Sequence, residues 1–216
     1  MTLWSEFQNN NGRMIHKWTH YFPAYERHFN RFVDRPVVFW EIGCGKGGSL
    51  RMWKRYLGPF AQIIGLDIRP ECTKFQEEQI AVRIGDQSDT VFLDRLIDEY
   101  GRPDVVLDDG SHKMTDVITT FRHLYPRIDK GGVYMVEDMH TAYWERFGGG
   151  LGRAGTFIEL CKSLVDELNG VHSGVSTEFT ASTLSMHFYD SIVVFERGRH
   201  GPRKALKIPA SGKDVP

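Results

Sequence analysis

The chain predicts an α/β fold in three layers: helices on both faces of a mostly parallel, seven-stranded sheet that ends in an antiparallel hairpin, with a helical N-terminal extension. Three observations carry this. From Val37 to Val136, short apolar runs alternate with segments of helical periodicity, the pattern of parallel strands joined by helical crossovers. The first run, Val37-Val38-Phe39-Trp40-Glu41-Ile42, has no polar alternation, as expected of a strand covered on both faces. Finally, the runs 184–189 and 192–196 are separated only by Asp190-Ser191, too few residues for a helical crossover, so the sheet must finish with a hairpin.

Taken in order, residues 1–35 are aromatic and basic. Tyr21, Tyr25, Phe29 and Phe32 recur at helical spacing and predict an amphipathic helix opened by Pro23. Phe29 and Phe32 read as core, whereas the polar tips of His20, Tyr21 and Tyr25 suit the rim of a pocket. The first strand enters Gly43-Cys44-Gly45-Lys46-Gly47-Gly48-Ser49, then a helix through Leu50, Trp53 and Leu57 that stops at Gly58-Pro59. Strands over 62–66, 80–84, 104–107 and 133–136 follow, with helices over 90–100 and 114–125 between them. Residues 140–155, with Tyr143, Trp144, Phe147 and a glycine run, form either a lid or a plain surface crossover. A helix over 156–168 precedes the hairpin, and 198–216 reads as a frayed tail. The division is therefore 1–35 as extension, 36–197 as the core domain and 198–216 as tail.

The balance of 27 basic and 28 acidic residues, net charge -1, excludes a global attraction to nucleic acid or an anionic membrane. No apolar run reaches the ~20 residues of a membrane span. Met1-Thr2-Leu3-Trp4-Ser5-Glu6 lacks the basic start and apolar core of a signal peptide. Cys44, Cys72 and Cys161 are odd in number and scattered, which predicts reduced thiols and a cytoplasmic setting.

Every strand of the parallel series ends in a carboxylate: Glu41, Asp67, Asp86, Asp108-Asp109 and Glu137-Asp138. Ligands of open α/β sheets bind outside the carboxyl ends of the strands, so these side chains should collect along one edge. Gly43, Gly45 and Gly48 satisfy G-x-G-x-x-G, with Asp67 where a ribose-binding acid belongs. This much fits a nicotinamide dinucleotide as well as S-adenosylmethionine. Three features favour the latter: Glu41 suits an amino-acid ammonium, Asp86-Gln87 offers an acceptor and a donor to an adenine edge, and the sheet closes with a reversed strand.

These residues resemble class I S-adenosylmethionine-dependent methyltransferases, which implies a Rossmann-like methyltransferase fold. Asp108-Asp109-Gly110-Ser111-His112, Val136-Glu137-Asp138 and the opening 16–26 are similar to the metal-dependent macrolide-sugar and rhamnosyl O-methyltransferases and to the cephalosporin hydroxylase-like families. The resemblance covers residues 15–197. It implies a cofactor site of Glu41, Gly43, Gly45, Gly47, Ser49, Asp67, Ile68, Asp86, Gln87 and Asp108 for S-adenosylmethionine, a sugar-hydroxyl acceptor and a homo-oligomer.

Asp109, Glu137 and Asp138, from adjacent strand ends, are hard oxygen donors that suit Mg²⁺, Mn²⁺ or Ca²⁺ rather than zinc, with Mg²⁺ or Mn²⁺ the expected cofactor; alternatively one acid of each pair caps a helix or binds a backbone N–H. Asp108 is the alternative ligand. His112, three residues past Asp109, is the candidate general base, with Asp109 beside it; its other reading is a helix N-terminal residue bonded to a carboxylate. His20, Tyr25, His140 and Tyr143 are candidates for the acceptor site. A metal-dependent hydroxylase or hydrolase, or an NAD-binding oxidoreductase, is the alternative function on the same scaffold.

Overall fold

The apolar runs become the parallel strands β1 (Val37–Ile42), β2 (Ala61–Asp67), β3 (Ile80–Ile84), β4 (Val105–Asp108) and β5 (Val133–Val136). The hairpin strands are β6 (Thr183–Tyr189) and β7 (Ile192–Arg197), and the order across the sheet is β3-β2-β1-β4-β5-β7-β6. β7 runs antiparallel to both β5 and β6, as the short turn between the last two strands demands. The structure is a computed structural model and describes residues 2–201 and 203–208.

Helices cover both faces. On one lie α1 (Leu3–Gln8), α2 (Phe22–Phe29) and α3 (Gly48–Leu57), packed with the sheet side chains Phe39, Ile63 and Leu107. On the other lie α4 (Thr90–Tyr100), α5 (Met114–Leu124) and α6 (Phe157–Leu168), packed with Trp40, Ile64 and Tyr134. The strand residues alternate between these two cores, as the pleat requires. Local signals set the helix ends: Asp89 accepts from the N–H groups of Val91 and Phe92 to open α4, and Gly101 at φ 82° closes it. The short helices α7 (Gly170–Ser173) and α8 (Glu178–Ser182) lead from α6 to the hairpin.

The N-terminal segment departs from the single helix that its aromatic period predicts. Single turns of 3₁₀ helix, Thr19–Tyr21 and Asn30–Phe32, flank α2, and Pro23 sits in its first turn as expected. Phe29 is fully buried against Phe39 and Trp53, and Tyr25 stacks beside it. α2 is also tied to β7: Nδ1 of His28 lies 2.5 Å from Glu196 Oε1, and Arg31 donates to Glu196 Oε2 at 2.5 Å. α1 was not expected; its Trp4 and Phe7 pack on Phe22.

Residues 140–155 are folded back on themselves rather than extended as an open loop. Two 3₁₀ turns, Met139–Tyr143 and Glu145–Phe147, are followed by Gly149 and Gly150 N–H groups donating to Trp144 and Ala142 carbonyls at 3.0 and 2.9 Å. A Cβ on Gly149 would lie 2.5 Å from the Ala142 carbonyl oxygen, so the close return needs glycine there. Of the tail, residues 198–201 and 203–208 carry no helix or strand, and Pro202 and residues 209–216 lie outside the described residues. No helix among the described residues is long and apolar enough to cross a membrane.

Phe29→Ala empties a fully buried site that joins α2 to α3 and β1. It should lower the unfolding free energy by about 3–5 kcal/mol, read from a denaturant midpoint shift at constant slope.

Candidate active site

The parallel strands deliver their acids to one edge in the spatial order Asp86, Asp67, Glu41, Asp108-Asp109, Glu137-Asp138, following the strand order β3-β2-β1-β4-β5. The strand order changes sense between the parallel neighbours β1 and β4, which is where open α/β sheets form their binding crevice. Two clefts meet there, sharing Gly43, Gly45 and Asp109: one of about 470 Å³ above β2 and β3, the other of about 240 Å³ above β4 and β5.

Glycine builds the junction. Gly43 has φ 87°, and a Cβ on it would lie 2.0 Å from the Asp109 carbonyl oxygen, so the loops after β1 and β4 touch through backbone alone. A Cβ on Gly48 would lie 2.2 Å from the Met14 carbonyl oxygen, which shows how closely the N-terminal segment crosses the start of α3.

The larger cleft collects Gly43, Gly45, Asp67, Ile68, Asp86 and Gln87 from the residues the sequence assigns to a cofactor. Several of these already have protein partners. Asp67 accepts from the Gly45 N–H at 3.0 Å and from Arg69 Nε and Nη2, each at 2.9 Å. Burial alone would raise its pKa, but the Arg69 side chain and the two backbone N–H groups outweigh it and hold the carboxyl below its ordinary value. Asp86 accepts from the Ser88 N–H and hydroxyl, which lowers its pKa as well. Gln87 accepts from the Ser111 N–H at 2.6 Å and donates to Asp108 at 3.1 Å.

Other expected cofactor residues lie elsewhere. Asp108 lines neither cleft: it points into the α5 side of the sheet, buried, and accepts from Tyr134 OH at 3.0 Å. Burial pushes its pKa up to about 6 against the pull of Tyr134 and Gln87. Glu41 is fully buried, with Ser49 Oγ and Trp53 Nε1 donating at 2.7 and 3.2 Å, and the ammonium beside it belongs to Lys17 at 3.4 Å. Ser49 lines the smaller cleft, and Gly47 packs under the Phe75 ring.

In the smaller cleft the structure brings Asp109, His112 and Asp138 together, with one donor atom from each lying within 4.8 Å of the others. His112 Nε2 is 3.9 Å from Asp109 Oδ1 and 3.6 Å from Asp138 Oδ2. Both His112 and Asp138 have positive φ, at 58° and 53°, a conformation a non-glycine residue adopts only where its surroundings enforce it. Tyr21 OH donates to Asp138 Oδ1 at 2.6 Å. The Phe147 ring stands 6.1 Å from the His112 ring, edge to face.

Glu137, expected with Asp109 and Asp138 as a ligand, lines the same cleft as they do. Tyr25 OH donates to Glu137 Oε1 at 2.6 Å, and Lys17 Nζ reaches its two oxygens at 3.1 and 3.0 Å. Burial and the neighbouring Asp109 charge push the Glu137 pKa up, with Lys17 and Tyr25 pulling the other way. Burial disfavours the Lys17 ammonium, but Asp109, Glu137 and Glu41 together reverse that and hold it protonated. Lys17 is a residue the sequence reading missed; a cluster of strand-end acids needs a cation, and Lys17 is among the few basic residues of the segment that covers it.

The proposed acceptor residues separate. Tyr25 is fully buried and supports Glu137, so it presents no surface to an acceptor. His20 meets the Tyr21 ring edge to face and approaches Asp190 at 4.0 Å, outside both clefts. His140 and Tyr143 border a separate groove beside the hairpin; His140 Nδ1 lies 2.8 Å from Ser191 Oγ, and its ring stands between those of Trp18 and Trp144.

This sheet, with its parallel core, reversed β7 and clefts at the strand ends, is the class I S-adenosylmethionine-dependent methyltransferase fold. The chain is related to sugar O-methyltransferases of natural-product pathways. Mycinamicin VI 2''-O-methyltransferase of Micromonospora griseorubida is 39% identical over 199 residues, 84% of this chain and 49% of that protein. The 8-demethyl-8-alpha-L-rhamnosyl tetracenomycin-C 2'-O-methyltransferase of Streptomyces olivaceus is 38% identical, over 85% of this chain and 50% of that one. Among solved structures, the MycE methyltransferase of the mycinamycin pathway, in complex with Mg, SAH and mycinamycin VI, superposes with a TM-score of 0.78 at 37% identity, covering 91% of this chain and 54% of that one. The chain thus spans about half the length of the curated relatives it matches. No family model matches it.

The Asp67–Arg69 pair gives a pH signature. Because the folded pKa of Asp67 is depressed, its contribution to stability is complete above its unfolded value of about 4 and disappears as pH falls through the folded value. Asp67→Asn should therefore melt below the unmodified protein at neutral pH, with the gap closing as pH falls below the unfolded value and through the folded one. A gap that stays constant with pH would contradict the assignment.

Proposed function

We propose that the chain is an S-adenosylmethionine-dependent, divalent-metal-dependent O-methyltransferase acting on a sugar hydroxyl of a glycosylated natural product or glycan. The observation that carries this reading is the convergence of Asp109, His112 and Asp138 where the two clefts meet. The larger cleft suits the nucleoside part of the methyl donor, and the smaller suits the acceptor hydroxyl. The relatives named above, and the MycE structure in complex with Mg, SAH and mycinamycin VI, support the same reading.

The donor set fits a hard divalent ion: Asp109, Glu137 and Asp138 line the smaller cleft, and their carboxylate oxygens are the donors that would hold Mg²⁺ or Mn²⁺. Mg²⁺ or Mn²⁺ bound there would supply Lewis acidity to an acceptor hydroxyl. The remaining work falls to the chain itself. His112 Nε2 faces the cleft and takes the hydroxyl proton as the acceptor oxygen forms its bond to the methyl carbon and the carbon–sulfur bond breaks. Tyr21 fixes Asp138 by its hydrogen bond, and Phe147 shields one side of the imidazole from water. Reduced, buried thiols fit a cytoplasmic enzyme, and a homo-oligomer is the proposed assembly.

Methyl transfer from labelled S-adenosylmethionine to a panel of deoxysugar glycosides tests the reading. Activity should require Mg²⁺ or Mn²⁺ and vanish in excess chelator, while calorimetry still detects S-adenosylmethionine binding; full activity in chelator would sink the metal assignment. His112→Ala should reduce turnover by about 10²–10⁴ with cofactor affinity held.

A further inference from the structure

Two of the cysteines lie side by side beneath the glycine turn. Cys44 belongs to the turn after β1, and Cys72 to a 3₁₀ segment, Pro70–Phe75, that follows β2. Their two sulfurs and a carboxylate oxygen of Asp67 all lie within 4.8 Å of one another. Cys44 Sγ is 3.8 Å from Asp67 Oδ2, and Cys72 Sγ is 3.5 Å from the Gly45 carbonyl oxygen. Cys161 stands apart, in the core on the opposite face of the sheet.

This spacing is close to that of ligands on one ion. Around a tetrahedral ion with sulfur bonds of about 2.3 Å, neighbouring donors stand roughly 3.6–3.8 Å apart, so the three groups need close by only about 1 Å. The group is also reachable, since Cys44 lines the smaller cleft and Asp67 the larger. The cover over Asp67 is the Arg69 guanidinium, whose side chain is 43% exposed and can swing into the cleft without repacking the core.

We propose that Cys44, Cys72 and Asp67 form a binding site for a soft, thiophilic divalent cation of the zinc or cadmium class, separate from the oxygen-lined site at the ends of β4 and β5. Two sulfurs and one oxygen select such an ion over Mg²⁺, which prefers oxygen alone. Loading is an exchange: each thiol releases its proton to water as its sulfur bonds the ion. Burial, with nearby carboxylates adding to it, raises the pKa of both thiols, so both protons are there to be released. The Gly45 carbonyl or a water completes the coordination. Binding would draw Asp67 Oδ2 away from Arg69 and from the Gly45 N–H, which it holds at 3.0 Å. If the larger cleft holds the methyl donor, as read above, the ion then inhibits methyl transfer.

Cd²⁺ titrated into the full, reduced chain in excess Mg²⁺ tests the site. The ultraviolet sulfur-to-cadmium charge-transfer band should rise to saturation. Cys44→Ser or Cys72→Ser should weaken this binding at least about 100-fold and Asp67→Asn about tenfold, while Cys161→Ala leaves it unchanged. Between about pH 6 and pH 7 the affinity should rise by up to about 100-fold, as expected for the loss of a proton from each thiol. The cadmium-113 resonance of the unmodified protein should report sulfur ligation, a readout that depends on no variant folding. Absence of the band, a band that survives in both cysteine variants, or a resonance typical of oxygen ligands alone would overturn the proposal. Saturating Cd²⁺ should also weaken S-adenosylmethionine binding at least about tenfold by calorimetry, because Asp67 is shared. Sulfur-bound Cd²⁺ with unchanged donor affinity would leave the ion site standing and overturn the placing of the methyl donor at Asp67.

Discussion

One ammonium, buried among three carboxylates, is the condition on which the rest of this edge depends. Glu41, Asp109 and Glu137 arrive from three adjacent strands, and removing that much like charge from water without a partner costs several kcal/mol per ion. Lys17 supplies the countercharge from a segment that precedes the sheet in sequence. The N-terminal region is therefore part of the site as much as the strands are. Its aromatic packing serves this end: Tyr25 lies between Phe29 and Trp53 while its hydroxyl steadies Glu137, and Trp53 in turn donates to Glu41.

The change in the sense of strand order between the parallel strands β1 and β4 explains the division of the edge. On the β2–β3 side the acids are engaged by backbone N–H groups, Arg69 and Ser88, giving a well-organised polar wall. On the β4–β5 side two residues with positive φ, His112 and Asp138, aim side chains into the cleft. That strain is tolerated because tight contacts surround it: Glu137 N–H donates to the Asp108 carbonyl, Thr141 N–H to the Asp138 carbonyl, and Tyr21 holds the Asp138 carboxylate.

The strands, their order of appearance and the closing hairpin were legible because apolar period and loop length determine them locally. So were Asp109, His112 and Asp138, since residues at strand ends share one edge whatever the packing behind them. Which acid of each pair faces the cleft was not legible. Asp108 points into a core and lines neither cleft, while Asp109, Asp138 and the nearly buried Glu137 line the smaller one, and that depends on where the strand pleat gives way to the irregular turn. Lys17 was invisible for another reason: its partners Asp109 and Glu137 lie 92 and 120 residues away, and no spacing rule connects them. α1, at six residues, is too short to show a period.

The inward acids are more than spectators of the pairs. Asp108 is buried with Tyr134 and Gln87, and Gln87 in turn accepts from the Ser111 N–H, fixing the turn that carries His112. Glu137 is buried with Tyr25 and Lys17, and Lys17 fixes Asp109. In each pair, then, the buried acid sets the position of a group that faces the cleft on the neighbouring turn. By contrast, Trp18 and Trp144, flanking His140 on the open side, are 53% and 43% exposed and make no hydrogen bond to this cluster. The geometry of the acids thus rests on enclosed groups, where a substitution propagates, and the walls of the open side can vary with little effect on it.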